Sequence, residues 1–164
     1  MEEDKPIHLV VRFSDKTTSV ANTITLHNDV IDRYGAVWFG KIGRPLAPDR
    51  IKKFNIQVER NISTYLYLIQ TIKRNYDIYR CTVAQMTRSL PENEEQLVPE
   101  YYSFRGIRQH IQFWVKLTDT SHIPSKDIMN FHVAKSGVNL SQSLQGSMAG
   151  LFIIREGKGY DLAF

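Results

Sequence analysis

Residues 65–69 read Tyr-Leu-Tyr-Leu-Ile, and residues 78–86 read Ile-Tyr-Arg-Cys-Thr-Val-Ala-Gln-Met. Both segments are rich in aromatic and β-branched residues, which favour β-strands. The basic turn Lys73-Arg74-Asn75 lies between them. We therefore expect strands over 63–71 and 77–87 that pair as a hairpin and form part of a sheet.

The remaining segments predict a mixed α+β domain. Apolar residues recur every three or four positions over 21–34, where Asn22 or Thr23 can cap a helix and Gly35 can end it. A second helix is expected over 49–60, after Pro48. Further strands are expected at 7–13, 36–39, 111–117 and 151–155. The predicted fold is a small curved mixed sheet or β-barrel flanked by two or three short helices.

The segments between these elements have loop character. Residues 88–100 are acidic and contain two prolines, which predicts a polar loop, and residues 135–150 predict a loop or a frayed helix. Gly40-Lys41-Ile42-Gly43-Arg44 is a glycine-rich loop candidate, but it matches neither the GxxxxGK[ST] nor the GxGxxG phosphate-binding pattern.

The chain has 164 residues, which is the length of one domain, with a core expected over about 7–155. Its net charge of +4 permits an anionic partner without requiring one. Its apolar runs are far too short to span a bilayer, and its first residues are acidic rather than signal-like. With a single cysteine, Cys81, we expect a cytoplasmic protein with neither disulfide nor metal nor cofactor.

The sequence shows no recognisable catalytic motif. The five histidines lack metal-binding spacing, and the serines lack the GxSxG elbow. We therefore expect a domain that is not itself an enzyme, in which His27 packs in the core or lies at the surface. A small hydrolase or nuclease remains an alternative, and it would require residues such as Cys81, His110 and His122 to converge.

Several aromatic residues adjoin basic ones. Trp38 and Phe39 precede Lys41 and Arg44, and Tyr101, Tyr102 and Phe104 precede Arg105 and Arg108. An aromatic ring can stack on a base while a neighbouring cation contacts a phosphate. The pattern therefore favours nucleic-acid binding, with a pocket of two or three rings able to hold a flipped base.

The order of these segments resembles that of YTH domains, and of the related EVE domains, in the PUA-like superfamily. The resemblance rests on the paired strands at 64–86, on the Ile-Gln-Phe-Trp-Val-Lys-Leu segment that opens 111–124, and on Val37-Trp38-Phe39 after the first strand and helix. It implies a domain that reads a modified base, either N6-methyladenine in an aromatic cage or a modified cytosine in DNA.

The resemblance also assigns residues. Trp38 matches the first cage tryptophan, with Phe39 beside it. The second wall departs from the family pattern, because that loop holds no tryptophan and Tyr101 or Tyr102 are the nearest candidates. Arg12-Phe13-Ser14-Asp15 matches the segment that touches the base edge, for which Ser14, Asp15 and Asn22 are the polar candidates. The expected phosphate contacts are Lys41, Arg44, Arg50, Lys52, Lys53, Lys73, Arg74, Arg105 and Arg108.

The implied partner is methylated DNA, favoured over RNA by the use of such domains in prokaryotic modification-dependent restriction systems. There the domain is fused to, or assembled with, a nucleotide-driven motor and a nuclease. The main alternative is a protein-interaction domain that keeps the barrel and lacks the pocket. Burial of Trp38 in the core and scattering of the basic residues would favour that alternative.

Overall fold

The computed structural model describes residues 5–15, 22–104 and 106–160. The strands in this part of the chain are β1 Ile7–Arg12, β2 Val37–Ile42, β3 Tyr65–Ile72, β4 Asn75–Thr87, β5 Ile111–Leu117, β6 Ser121–Ile123, β7 Phe131–Val133 and β8 Leu151–Lys158. The helices are α1 Thr23–Tyr34, α2 Pro48–Glu59, α3 Tyr101–Phe104, α4 Lys126–Met129 and α5 Leu140–Gly146, with 3₁₀ turns at Glu92–Leu97 and Arg108–His110.

The strands form one sheet in the order β2-β5-β4-β3-β1-β8-β7, with β6 paired to β4. β1 and β3 are parallel, and the other pairs are antiparallel. β4 pairs with β3 from Asn75 to Thr82 and with β5 from Val83 to Thr87, and its pairing with β5 has a bulge between Val83 and Gln85. Bulges bend a strand and increase its twist, so the sheet can curl. The expected α+β class with a curved mixed sheet is confirmed.

Three apolar clusters hold the elements together. The concave face of β1 to β5 forms the largest cluster, which Ile24 of α1 and Phe54 of α2 close. The opposite face around β1, β3 and β8 packs on α4 and α5. The opposite face of β2 and β5 carries Trp38 and Trp114, which Leu97 and other residues of the segment after β4 cover.

Local sequence chemistry explains several element ends. Oδ1 of Asn22 accepts a hydrogen bond from the Thr25 amide at 2.6 Å and caps α1. Gly35 ends the same helix in the left-handed region, with φ of 85°. Lys73 and Arg74 have φ values of 46° and 72°, as a two-residue hairpin turn requires.

Three sequence predictions need correction. The strand expected at 36–39 continues to Ile42, so Gly40-Lys41-Ile42 is extended rather than a loop. The acidic segment expected to be a polar loop contains the Glu92–Leu97 3₁₀ turn, whose Leu97 is buried together with Val98. The short strands β6 and β7 were not predicted, because three-residue strands carry too little periodicity to detect.

No helix in the described part of the chain is long and apolar enough to cross a membrane.

Candidate functional site

A cavity of about 340 Å³ lies where the end of β1 faces β2. Its size is near the lower end of the roughly 300–1,000 Å³ typical of small-molecule sites. The segment that follows β1, the edge strand β2, the first turn of α1 and the helix α3 all contribute to it. Its aromatic lining is Phe13, Phe39, Tyr101 and Tyr102, and its polar lining is Arg12, Ser14, Thr23 and Lys41.

The alternation of side chains along β2 decides which predicted residues reach the cavity. Neighbouring residues of a strand point to opposite faces, so Phe39 and Lys41 share a face and Trp38 takes the other. Phe39 and Lys41 line the cavity, whereas Trp38 is fully buried on the far face. Trp38, assigned to the base-binding cage from the sequence, therefore does not line this cavity, because the alternation along β2 sends its side chain to the buried face.

Tyr101 and Tyr102, predicted as the second cage wall, both line the cavity. Their rings stack with centroids 4.5 Å apart and planes 24° apart. The Tyr102 hydroxyl accepts a hydrogen bond from the Gly40 amide at 2.9 Å, on the open edge of the sheet. A Cβ at Gly40 would lie 2.8 Å from Cδ1 of Ile111 and 3.0 Å from the Trp114 ring, so only glycine fits against these β5 side chains. The tyrosine pair is therefore anchored to β2.

His27 extends this hydrogen-bonded chain beneath the cavity. Its Nδ1 lies 2.8 Å from the Thr23 carbonyl, so Nδ1 carries the proton and donates it. Its Nε2 lies 3.2 Å from the Tyr102 hydroxyl, which then donates to it. Complete burial lowers the pKa of His27 to about 4, which keeps the ring neutral and the donor–acceptor order fixed. Of the two positions expected for His27, core or surface, the structure shows the core. There its ring holds the Tyr102 hydroxyl in place.

Asp15 and Asn22 act beside the cavity and do not line it. Asp15 accepts hydrogen bonds from the Thr23 amide at 2.9 Å and from the Gln70 side chain at 3.0 Å. It thereby fastens the start of α1 to β3 and sets the position of Thr23. Asn22 caps α1. Their predicted role as base contacts is not supported by these positions, whereas Ser14 does line the cavity.

The polar lining is rich in donors. Lys41 donates to the Ile42 carbonyl at 2.6 Å, and the pKa of its amine is lowered by partial burial and by the nearby charge of Arg44. Nε of Arg12 and Oγ1 of Thr23 are buried without a hydrogen-bond partner among the described residues. No carboxylate is among the described residues that line the cavity. Buried donors without partners cost stability, so a ligand with acceptors on its edge would satisfy them. Sequence reasoning missed Thr23 because it considered only its capping role.

A second concavity, of about 330 Å³, adjoins the first and carries cations. Arg44, Arg50 and Lys135 line it, and no acidic residue does so among the described residues. The segment 149–151 links the two concavities: the Gly150 carbonyl accepts a hydrogen bond from the amide of Arg12, which lines the cavity, while Ala149 and Leu151 line the second concavity. We call this second concavity the cationic groove. Arg44 and Arg50 were predicted as phosphate contacts, and Lys135 was not.

The other predicted phosphate contacts are dispersed. Lys52 and Lys53 are exposed on α2, and Lys73 and Arg74 are exposed at the β3–β4 turn. Arg108 pairs with Glu95 and lies 6.0 Å from the Trp114 ring, so its charge is already compensated within the protein. The assignment of Arg108 to phosphate binding is therefore not supported. Arg105 lies outside the described residues.

The residues named for the hydrolase alternative show no such convergence. Cys81 is fully buried in β4, where burial raises the pKa of its thiol well above the usual range. His122 pairs with Asp77 at 2.5 Å, and His110 is exposed at the end of the second 3₁₀ turn. In the described part of the chain, no three histidine, cysteine or acidic side chains are close enough to hold a metal ion.

The curled mixed sheet, the aromatic cavity and the adjoining cationic groove define a small α+β domain with a candidate ligand site near the end of β1. The family model described as Pua-like matches residues 9–149, which is most of the chain. The protein therefore belongs to the Pua-like family, which often binds nucleic acids. No curated protein and no solved structure was found to match it.

Proposed function

We propose that this Pua-like domain binds nucleic acid and accepts one modified base, flipped out of the helix, in the cavity lined by Phe39, Tyr101 and Tyr102. The favoured modification is methylation and the favoured polymer is DNA. The domain would act as the specificity module of a modification-dependent restriction system, with motor and nuclease activities on another domain or subunit. It is proposed to have no catalytic activity of its own and to work in the cytoplasm.

The cavity is the observation that carries this proposal. Its aromatic walls offer dispersion contacts to a flat ring, and its donors Arg12, Thr23 and Lys41 match acceptors on a base edge. Burying one methyl group adds about 0.8 kcal/mol, which corresponds to about a fourfold preference. A larger preference for the modified base would have to come from the fit of the polar edge.

The cationic groove supports a polymer rather than a free small molecule. A flipped nucleotide remains attached to its neighbours, so cations are needed beside the base cavity and not only within it. This condition is met by Arg44, Arg50 and Lys135. Ala149 and Leu151 also line their groove, and Gly150 between them is hydrogen-bonded to Arg12 of the cavity. Each phosphate contact would contribute to a salt dependence of binding.

The test is a titration with short fluorescent duplexes that are unmodified or carry N6-methyladenine or 5-methylcytosine, each at two salt concentrations. Ser14→Phe would place a ring at the exposed rim of the cavity, and Ser63→Phe adds the same ring at an exposed site that does not line it. We expect one modified duplex to bind at least about tenfold more tightly than the unmodified one. Ser14→Phe should abolish this margin, whereas Ser63→Phe should retain it.

A second pair of variants tests the groove. Removing both cations in Arg44→Gln/Arg50→Gln should weaken binding to every duplex and lower the salt slope by about 1 for each lost contact. Lys52→Gln/Lys53→Gln removes the same charge from the exposed face of α2 and should change the slope less. Absence of binding to all duplexes and matching single strands at low salt would refute the proposal.

The protein-interaction alternative gains support from the burial of Trp38 in the core and from the dispersal of most predicted phosphate contacts. Burial of Trp38 leaves the cavity intact, since other rings line it, and Arg44 and Arg50 are gathered rather than scattered. Capture of a protein partner that Ser14→Phe does not affect, together with no nucleic-acid binding, would favour the alternative.

A further inference from the structure

Resting on the proposed function, we infer that Met148 is the wedge that enters the duplex when the target base leaves it. Met148 is 94% exposed, more than any other large apolar side chain among the described residues. A single exposed apolar residue requires no special explanation by itself. Its position is what distinguishes Met148, because its loop separates the base cavity from the cationic groove.

The loop is held on the cavity side by a half-buried arginine. Arg12, which lines the cavity, donates from Nη2 to the Leu144 carbonyl at 2.5 Å and to the Ser147 carbonyl at 3.0 Å. Its own amide donates to the Gly150 carbonyl at 2.9 Å. Both residues that bracket Met148 and Ala149 are thus tied to Arg12.

The same loop turns on itself and reaches the cationic groove. The Ala149 amide donates to the Ser147 hydroxyl at 3.1 Å, so the backbone on either side of Met148 is fixed. Ala149 then lines the groove together with Arg44 and Arg50. Met148 therefore projects into solvent from a structured ridge between the proposed base site and the proposed phosphate site.

Removing a base from a duplex leaves a gap in the stack and costs a few kcal/mol. Apolar side chains, methionine among them, are inserted between base steps by proteins that distort DNA. Methionine is unbranched and polarisable, which suits an irregular gap between stacked bases. A side chain on the ridge between the cavity and the groove is placed for this task, because the gap opens beside the flipped nucleotide.

The experiment compares duplex with single-stranded DNA of the same sequence, carrying whichever modification the protein prefers. A single strand has no stack to restore, so a wedge contributes only to the duplex. We expect Met148→Ala to weaken duplex binding by about tenfold and to leave single-strand binding within about twofold. Met148→Leu should retain most of the duplex affinity, and Ile62→Ala, a truncation of another exposed apolar residue that lines neither site, should change neither.

A 2-aminopurine base placed next to the modified target base reports flipping through its fluorescence, which rises when its stacking neighbour leaves the helix. The increase seen with the native protein should fall with Met148→Ala at saturating protein. Equal losses on both substrates, or no loss on the duplex, would overturn the wedge while the reader function stands. Binding to the single strand but not to the duplex would also overturn the wedge. Absence of binding to both the duplex and the single strand would refute the proposed function, and the wedge with it.

Discussion

Lowering the pH should destabilise this protein through His27. The imidazole is completely buried, and its pKa in the folded protein is about 4 against an ordinary value of 6.5. Between about pH 4 and pH 6.5, His27 is therefore protonated in the unfolded chain and neutral in the folded protein. Stability consequently rises with pH in this window, so it is fully present above about pH 6.5 and is lost as the pH falls toward 4.

The magnitude follows from the size of this difference. A difference of about 2.5 pH units, at about 1.4 kcal/mol for each, gives about 3 kcal/mol of lost stability. That is a large share of the roughly 5–15 kcal/mol by which a domain of this kind is stable. His8 adds to the loss with the same sign, because burial lowers its pKa despite the nearby Glu156.

Urea unfolding at a series of pH values between 7.5 and 4 measures this loss of stability as a fall in the urea concentration at which half of the protein is unfolded. His27→Gln removes the titrating group, so its stability should vary with pH by about 3 kcal/mol less than that of the native protein. His8→Gln is the matched control that keeps the contribution of His27. Should His27→Gln show the same pH dependence as the native protein, the buried neutral imidazole beneath the cavity would be the wrong description.

Three further substitutions have defined effects on the free energy of unfolding, which urea unfolding measures. For Trp38→Ala the duplex titration is needed as well. Tyr102→Phe leaves the Gly40 amide and Nε2 of His27 without their partner and should cost about 2–4 kcal/mol, and a cost near zero would show that the hydroxyl anchors nothing. Trp38→Ala should cost about 3–5 kcal/mol of stability and leave the preference of the folded protein for a modified base unchanged. Loss of that preference without loss of stability would show that Trp38 contacts the base after all. Asn22→Ala should cost about 1 kcal/mol through the lost helix cap, and Asn22→Ser should restore most of it.

The elements of this fold follow from local sequence signals. β1, the β3–β4 hairpin and β5 are stretches of β-branched and aromatic residues, and both long helices carry their own start signals. Gly35 marks the end of α1 in the sequence as it does in the structure. These features are short-range, so a reader of the sequence can find them without knowing which segments meet.

The site was only partly predictable. Phe39, Tyr101, Tyr102, Ser14 and Lys41 were proposed from the sequence, and all of them line the cavity. The pairing of aromatic with basic residues drew attention to all of them except Ser14, which was proposed from the family resemblance. The same criterion selected Trp38 and Arg108, whose partners in space are the packed segment after β4 rather than a ligand.

By itself the sequence determined a mixed α+β domain with two helices that carry their own start signals, a central hairpin and aromatic residues beside cations. Only the tertiary structure decided which of those aromatics meet. Trp38 and Phe39 are neighbours in the chain, yet the two-residue period of a strand sends one into the core and the other to the cavity. Where β2 ends, and what covers each of its faces, depends on contacts with segments some sixty residues further along the chain, such as the hydrogen bond from Gly40 to Tyr102. No local pattern encodes such contacts, because they arise only when the sheet curls and brings β1, β2 and α3 together.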